Sequence, residues 1–305
     1  MTLSRGSASL IGFSAILLWS TLALFTRWSQ AFPPFQLLSL TFSIAFTLML
    51  LKWLICRQNP LRFARLPWRV WLLGIYGLFG YHACYFIALS LAPAAEASLI
   101  AYLWPLLILL FSALLPGHSL TLRHLLAGCL GLSGSALLIL RGDSDFAQGN
   151  LPGYGAALLC ALIWSSYSVC SRLFAEVPTD AVAWFCLVTA LLGAGVHLSL
   201  ENSYWPTDSL SWVGVLGLGL GPVGLAFFSW DYGMKHGDIR LLGLLAYSAP
   251  LLSTLLLVLA GEAHMSWRLA LAALLISCAA LLPWLLTRLQ QRLQQLKQRR
   301  RKLIG

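Results

Sequence analysis

Pro105 and Pro250 each stand inside a long apolar run, and each is followed by Leu-Leu. A proline removes a helical N–H and leaves the carbonyl four residues earlier without its usual donor. Those carbonyls belong here to Ala101 and Ala246. Beside the prolines stand Tyr102, Trp104, Tyr247 and Ser248; Trp19, Tyr81, Tyr85, Trp164, Tyr167 and Trp230 lie in other apolar runs near that depth. Such rings can hold an aromatic side chain by offset or edge-to-face contact, and an ammonium group by cation–π attraction. Ser20, Thr21, Ser165, Ser166, Ser248 and His82 are the nearby hydrogen-bonding groups for an amine or a carboxylate. Each has a plainer reading. Trp and Tyr gather at membrane interfaces, small hydroxyls pack helices together, and a neutral histidine can bond to a neighbouring helix. Trp71, Trp205, Trp212, Trp267 and Trp284 sit near run ends and suit the interfacial reading; Trp19, Trp104 and Trp164 do not.

The elements that must position these residues follow from composition. Of 305 residues, 59% are apolar and 10% charged, and mean hydropathy is +0.80. A soluble domain carries about 25% charged residues. An ordinary cytosolic enzyme, a disordered chain and a nucleic-acid module are thereby excluded. A membrane span needs about 20 mostly apolar residues. Ten stretches qualify: 9–29, 35–56, 68–91, 95–115, 120–140, 151–174, 179–200, 210–233, 239–260 and 266–288. Without water, each spanning backbone must satisfy its own hydrogen bonds. The expectation is an all-α membrane protein, since the alternating segments of a barrel are not visible. The first stretch lacks an Ala-x-Ala-like exit and reads as a span rather than a signal peptide. The seven cysteines fall inside spans with no CxxC pair, which points to neither a disulfide framework nor a metal site.

With ten spans, both termini share one side. That side receives every Lys and Arg except Arg27, Arg141 and Arg268, out of 20. Basic residues mark the cytoplasmic side, so both termini are expected inside. The tail after Arg288, with Leu289, Leu293 and Leu296 at helical spacing, reads as a basic amphipathic helix on anionic lipid.

The chain also repeats itself at an offset of 144–145 residues. Trp19-Ser20-Thr21 with Arg27 matches Trp164-Ser165-Ser166 with Arg172, Gly77 and Gly80 match Gly221 and Gly224, and Pro105 matches Pro250. Gly117 matches Gly261 after a one-residue slip. Five spans per half is an odd number, so the second half is inverted. The expected units are 1–145, 146–288 and a basic tail, 289–305. Inverted repeats with broken spans near the midplane build many secondary transporters. Pro105, Pro250, Gly221 and Pro222 are then the candidate hinges, with the glycines of the eighth span making it more breakable than the third. Acids are scarce at depth. Glu96 and Glu262 fall at outer ends, and Glu176, Asp180 and Asp238 at inner ends. Asp231 falls within a span, one turn before Lys235, which could neutralise it. This pattern argues against proton coupling through a dedicated mid-membrane carboxylate.

These features resemble the EamA branch of the drug/metabolite transporter superfamily, whose members have ten helices in two inverted halves. Ile100-Ala101-Tyr102-Leu103-Trp104-Pro105, Ala161-Leu162-Ile163-Trp164-Ser165-Ser166-Tyr167 and Trp230-Asp231-Tyr232-Gly233 resemble the YddG-type aromatic amino acid exporters within it. The resemblance implies export of aromatic or other hydrophobic amino acids by alternating access across a bacterial-type inner membrane. It covers nearly the whole chain except the tail, and Asp231 departs from the Asn that members often carry there.

The substrate-holding set is therefore Trp19, Tyr81, His82, Tyr85, Tyr102, Trp104, Trp164, Ser165, Tyr167, Trp230, Tyr247 and Ser248. The expected partners are a small amino-acid substrate and the bilayer, with no nucleic acid, cofactor or metal, and with oligomeric state left open. Other readings are weaker. A lipophilic-cation exporter leans on a mid-membrane Glu, and a nucleotide-sugar carrier on cavity-facing cations. Gly131-Leu132-Ser133-Gly134 matches the GxSG of intramembrane serine proteases, yet every His except His82 lies near a span end or in a loop. Lipid-linked transferases need acidic clusters that are absent, and a receptor role leaves the paired prolines unexplained.

Overall fold

The structure, a computed structural model, describes residues 4–116, 121–140, 146, 148–261 and 264–304. Gly117, His118, Arg141 and Glu262 lie outside the described residues, as do the side chains of Trp284 and of 293–304. The described chain is helical. Among the described residues nine helices are long and apolar enough to span a bilayer: α1 Arg5–Trp28, α2 Pro34–Ile55, α3 Trp68–Leu91, α4 Ala94–Ser112, α5 Leu122–Ile139, α6 Leu151–Phe174, α7 Thr179–Leu200, α8 Ser209–His236 and α9 Ile239–Leu259. The tenth, α10, runs Trp267–Ile304, with its apolar part over Trp267–Pro283. Residues 289–304 continue α10 without a break, because nothing after Pro283 ends the helix. Lys, Arg, Gln and Leu are all good helix formers.

Five described spans are interrupted: α1 by a turn at Thr21, between Arg5–Ser20 and Leu22–Trp28, and four others in two matched pairs. α4 opens into a turn at Tyr102-Leu103 between Ala94–Ala101 and Trp104–Ser112, and α9 at Ala246-Tyr247 between Ile239–Leu245 and Ser248–Leu259. Pro105 and Pro250 stand just inside the second segments, where a missing N–H is tolerated. α3 loosens into a π turn at Tyr76–Gly80 and α8 at Gly221–Leu225. The sequence reading expected this of α8 more than of α3. Both turns form at the matched glycines, because α3 needs the same bend even without a proline. Single π turns inside helices are rare and concentrate at functional sites.

Contacts are distributed unequally along the bundle. At one end α1 seats on α8 so closely that a Cβ on Gly233 would lie 2.4 Å from the Gly12 Cα. Arg5 Nη2 reaches Asp238 at 3.1 Å, and Ser9 Oγ accepts the Asp238 N–H at 2.8 Å. Arg172 donates to the carbonyls of Met234 and Gly237 at 3.0 Å each. The buried pair Lys235–Asp231 closes at 2.8 Å, with Thr179 donating to Asp231 and Lys235 to the Val177 carbonyl. At the same end the segments Trp104–Ser112 and Ile239–Leu245 pack together, the Gly243 Cβ position lying 3.3 Å from Ile108 Cγ2. At the other end, no residue of Ser248–Leu259 is buried.

Candidate functional site

The interruptions bring indole rings together at mid-depth. Trp19 on α1 lies 6.1 Å from Trp104 on α4, 5.7 Å from Trp164 on α6 and 5.0 Å from Trp230 on α8, between ring centroids. Trp104 meets Trp164 at 6.5 Å and Trp230 at 5.6 Å, both near-perpendicular. Edge-to-face pairs of this kind contribute about 0.5–1.5 kcal/mol each beyond their burial. The rings are thus in mutual contact rather than standing around an empty space.

Two of the four are anchored by their N–H groups. Trp19 Nε1 donates to the Pro222 carbonyl at 3.0 Å, inside the π turn of α8. Trp230 Nε1 donates to Ser168 Oγ at 3.0 Å, and Trp230 is 1% exposed. Trp104 and Trp164 differ. Among the described hydrogen bonds their indole N–H groups have no protein acceptor, and the two residues are 6% and 4% exposed. A donor in such a place can serve an anionic oxygen brought by a ligand.

Around this cluster α3 supplies a polar edge. Tyr81 lies 5.4 Å from Trp164, 5.1 Å from His82 and 6.1 Å from Tyr85, where the rings stack. His82 Nδ1 lies 2.7 Å from the Leu78 carbonyl within the α3 π turn. A carbonyl only accepts, so Nδ1 carries the hydrogen, and in the neutral ring Nε2 is left as an acceptor. The Tyr85 hydroxyl meets Ser98 Oγ at 2.9 Å and ties α3 to the first segment of α4.

The remaining expected residues are placed differently. Tyr247 is 0% exposed, and its ring lies against Gly131 of α5, where a Cβ would come within 2.4 Å of the ring. It reaches the cluster only through Tyr102, 6.1 Å away, which in turn stands 5.9 Å from Trp104. Tyr167 is buried beside Trp164 at 5.4 Å. Ser165 and Ser248 donate to the carbonyls of Ala161 and Leu245 on their own helices. Phe227 and Phe42 were missed by sequence reasoning. Phe227 lies 5.6 Å from Trp164 and 6.2 Å from His82, and Phe42 on α2 lies 5.1 Å from His82. Phe227 stands three residues before Trp230, a spacing that shares a helix face and could have revealed it. Phe42 had no such marker in a uniformly apolar span.

No group of His, Cys, Asp and Glu suited to a metal occurs among the described residues. Ser133 of the GxSG stretch is exposed and donates to the Cys129 carbonyl. With Gly131 roofed by Tyr247, the stretch serves helix packing. Chemically, the cluster offers aromatic walls, two indole donors and one imidazole acceptor.

Known proteins share this architecture. The aromatic amino acid exporter YddG of Ancylobacter novellus is 55% identical over 288 residues, covering 94% of this chain and all of that protein. The exporters of the same name from Salmonella typhimurium and Escherichia coli are 27% and 28% identical, over 92% and 94% of this chain and 98% and 99% of theirs. A crystal structure of a protein 55% identical to this one superposes with a TM-score of 0.89, covering 93% of this chain and 99% of the other. Residues 6–140 and 151–285, one stretch from each half, both match the EamA-like transporter family, and the chain belongs to that family.

Proposed function

We propose that this multi-pass membrane transporter exports aromatic and related hydrophobic amino acids, and that the tryptophan cluster is where it holds them. The observation that carries this reading is the pair of indole N–H groups on Trp104 and Trp164, unclaimed by protein acceptors at the junction of α1, α4, α6 and α8. They suit the substrate carboxylate. The ring faces and His82 Nε2 suit its ammonium group, and the aromatic walls its side chain. The printed names of the similar exporters agree with this substrate class. Tyr81, Tyr85 and Tyr102 then form the outer wall, while Trp230, Tyr167, Tyr247, Ser165 and Ser248 support it from behind.

The transporter lies in the inner membrane with both termini in the cytoplasm, as the placement of basic residues supports. The halves 1–145 and 146–288 rock about Pro105, Pro250 and the two π turns. The packed end, where Arg5 and Ser9 of the first half bond Asp238 of the second and Gly12 meets Gly233, is the cytoplasmic one, so this conformation is closed to the cytoplasm. Asp231, within α8 near its cytoplasmic end, is already paired with Lys235, and no other acid stands deeper among the described residues of the spans, which supports transport without proton coupling.

Counterflow in proteoliposomes tests this reading. Labelled phenylalanine accumulates against unlabelled tryptophan or threonine and is indifferent to a pH gradient. Silence with amino acids, with activity toward a quaternary ammonium dye or a nucleotide sugar, would overturn the substrate assignment and leave the family intact.

A further inference from the structure

Away from the ring cluster, the seam between α1 and α9 opens into a surface groove of about 450 Å³. It lies beside the point where α1 packs on α8 and α9, with Gly12 against Gly233 and Leu242. One wall is the α1 face of Arg5, Ser9 and Phe13, and the other the α9 face of Asp238, Leu241 and Leu245. Along α1 the distance from Arg5 to Phe13 is about 12 Å at 1.5 Å per residue. Over that length the groove passes from charged to wholly apolar.

The charge at the mouth is one-sided. Arg5 contacts Asp238 at 3.1 Å, and Arg172 lies within electrostatic reach of both. Arg123 and Arg240, with Asp238, lie within reach of His124. Among the described contacts Asp238 is the carboxylate that faces Arg5 and Arg172, and it is already engaged. Its Oδ1 accepts the N–H groups of Arg240 and Leu241 at the start of α9, and its Oδ2 meets Arg5. The surroundings therefore favour an anion, and the apolar length behind favours a hydrocarbon chain attached to it. Basic pockets between membrane helices on the cytoplasmic side take anionic lipid head groups.

We propose that this groove is a binding site for one anionic phospholipid, its phosphate beside Arg5 and an acyl chain along Phe13, Leu241 and Leu245. The leaflet named, the cytoplasmic one, rests on the orientation proposed above; the binding does not. Because α1 and α9 belong to different halves, the lipid braces the closed end.

The test uses the purified full chain in detergent, titrated with phosphatidylglycerol or phosphatidylcholine and read by native mass spectrometry and apparent melting temperature. Phosphatidylglycerol is retained and raises the melting temperature, as a ligand of the folded state must, whereas phosphatidylcholine does neither. Arg5→Gln weakens retention about five-fold, the equivalent of one basic residue near a charged lipid surface. Gly6→Phe abolishes it by filling the groove. A Cβ there meets nothing nearer than Ser4 Oγ at 3.8 Å, so this variant keeps the lipid-free melting temperature of the parent. Equal retention of the two lipids, or undiminished phosphatidylglycerol binding by Gly6→Phe, would overturn the proposal. Neither readout involves transport, so failure here is separate from failure of the exporter reading.

Discussion

The hydroxyl of Tyr102 donates to the carbonyl of Ala246 across 2.7 Å. That carbonyl is the one Pro250, four residues on, cannot serve. The break in α9 is thus completed by a residue at the break in α4, and a hydrogen bond joins the matched breaks. Ala246 also accepts the N–H of Ala249 at 3.1 Å, so the tyrosine supplies one of two bonds. Tyr102→Phe removes it at a cost of about 1 kcal/mol, seen as a drop of about 2 °C in apparent melting temperature. In a Pro250→Ala background the restored N–H serves the same carbonyl, and Tyr102→Phe then costs little. A double-mutant cycle in detergent measures the coupling, and additive effects would show the two breaks to be independent.

Much of this was legible in the sequence because prolines and glycines announce backbone requirements directly. Pro105, Pro250 and the Gly77/Gly80 and Gly221/Gly224 pairs marked the four paired interruptions, whereas the turn at Thr21 in α1 has no proline or glycine to announce it. The mid-span position of Trp19, Trp104 and Trp164 separated them from interfacial tryptophans. What stayed hidden depended on side-chain partners across the bundle. Nothing in local sequence tells that Trp230 is claimed by Ser168, or that Tyr247 turns away onto Gly131. In a chain this apolar, position on a helix does not distinguish a lipid-facing ring from a central one. For that reason Phe42 and Phe227 escaped notice.

The four tryptophans separate into two classes. Trp230→Ala removes a fully packed ring and its bond to Ser168, a loss of about 3–5 kcal/mol for a large buried aromatic that appears as reduced folded yield. Trp104→Phe keeps a ring but removes the unclaimed N–H. Its melting temperature stays near the parent's, while phenylalanine transport efficiency falls about ten-fold or more, as expected for a lost hydrogen bond to a charged group worth about 1.5–3 kcal/mol. Unchanged initial rates at sub-saturating phenylalanine would show that Trp104 does not touch the substrate.

Asp231 and Lys235 form a buried pair, 4% and 5% exposed at their side chains. Removing one partner of such a pair strands the other, at about 3–5 kcal/mol, whereas replacing both with apolar groups is often neutral. Asp231→Asn therefore lowers the apparent melting temperature sharply, and adding Lys235→Met restores most of it. The restored double variant still accumulates phenylalanine in counterflow. If it folds but has lost transport, the pair carries part of the coupling and the uncoupled reading is wrong.

The closed end rests on backbone contact, which makes it sensitive to a single methyl group. A Cβ on Gly233 would lie 2.4 Å from the Gly12 Cα and 3.0 Å from the Gly12 nitrogen. Backbone cannot yield as a flexible side chain does, so Gly233→Ala must push α1 off α8. The bonds that depend on this seating then weaken together: Ser9 Oγ to the Asp238 N–H, and Arg5 to Asp238. The variant spends more time open at this end, and the amides of 233–238 exchange with deuterium faster than in the parent, while those of 182–200 in α7 are unaffected. Exchange at parental rates in 233–238 would mean that Gly12 and Gly233 part without opening the end, and that the arginine bonds alone hold it shut.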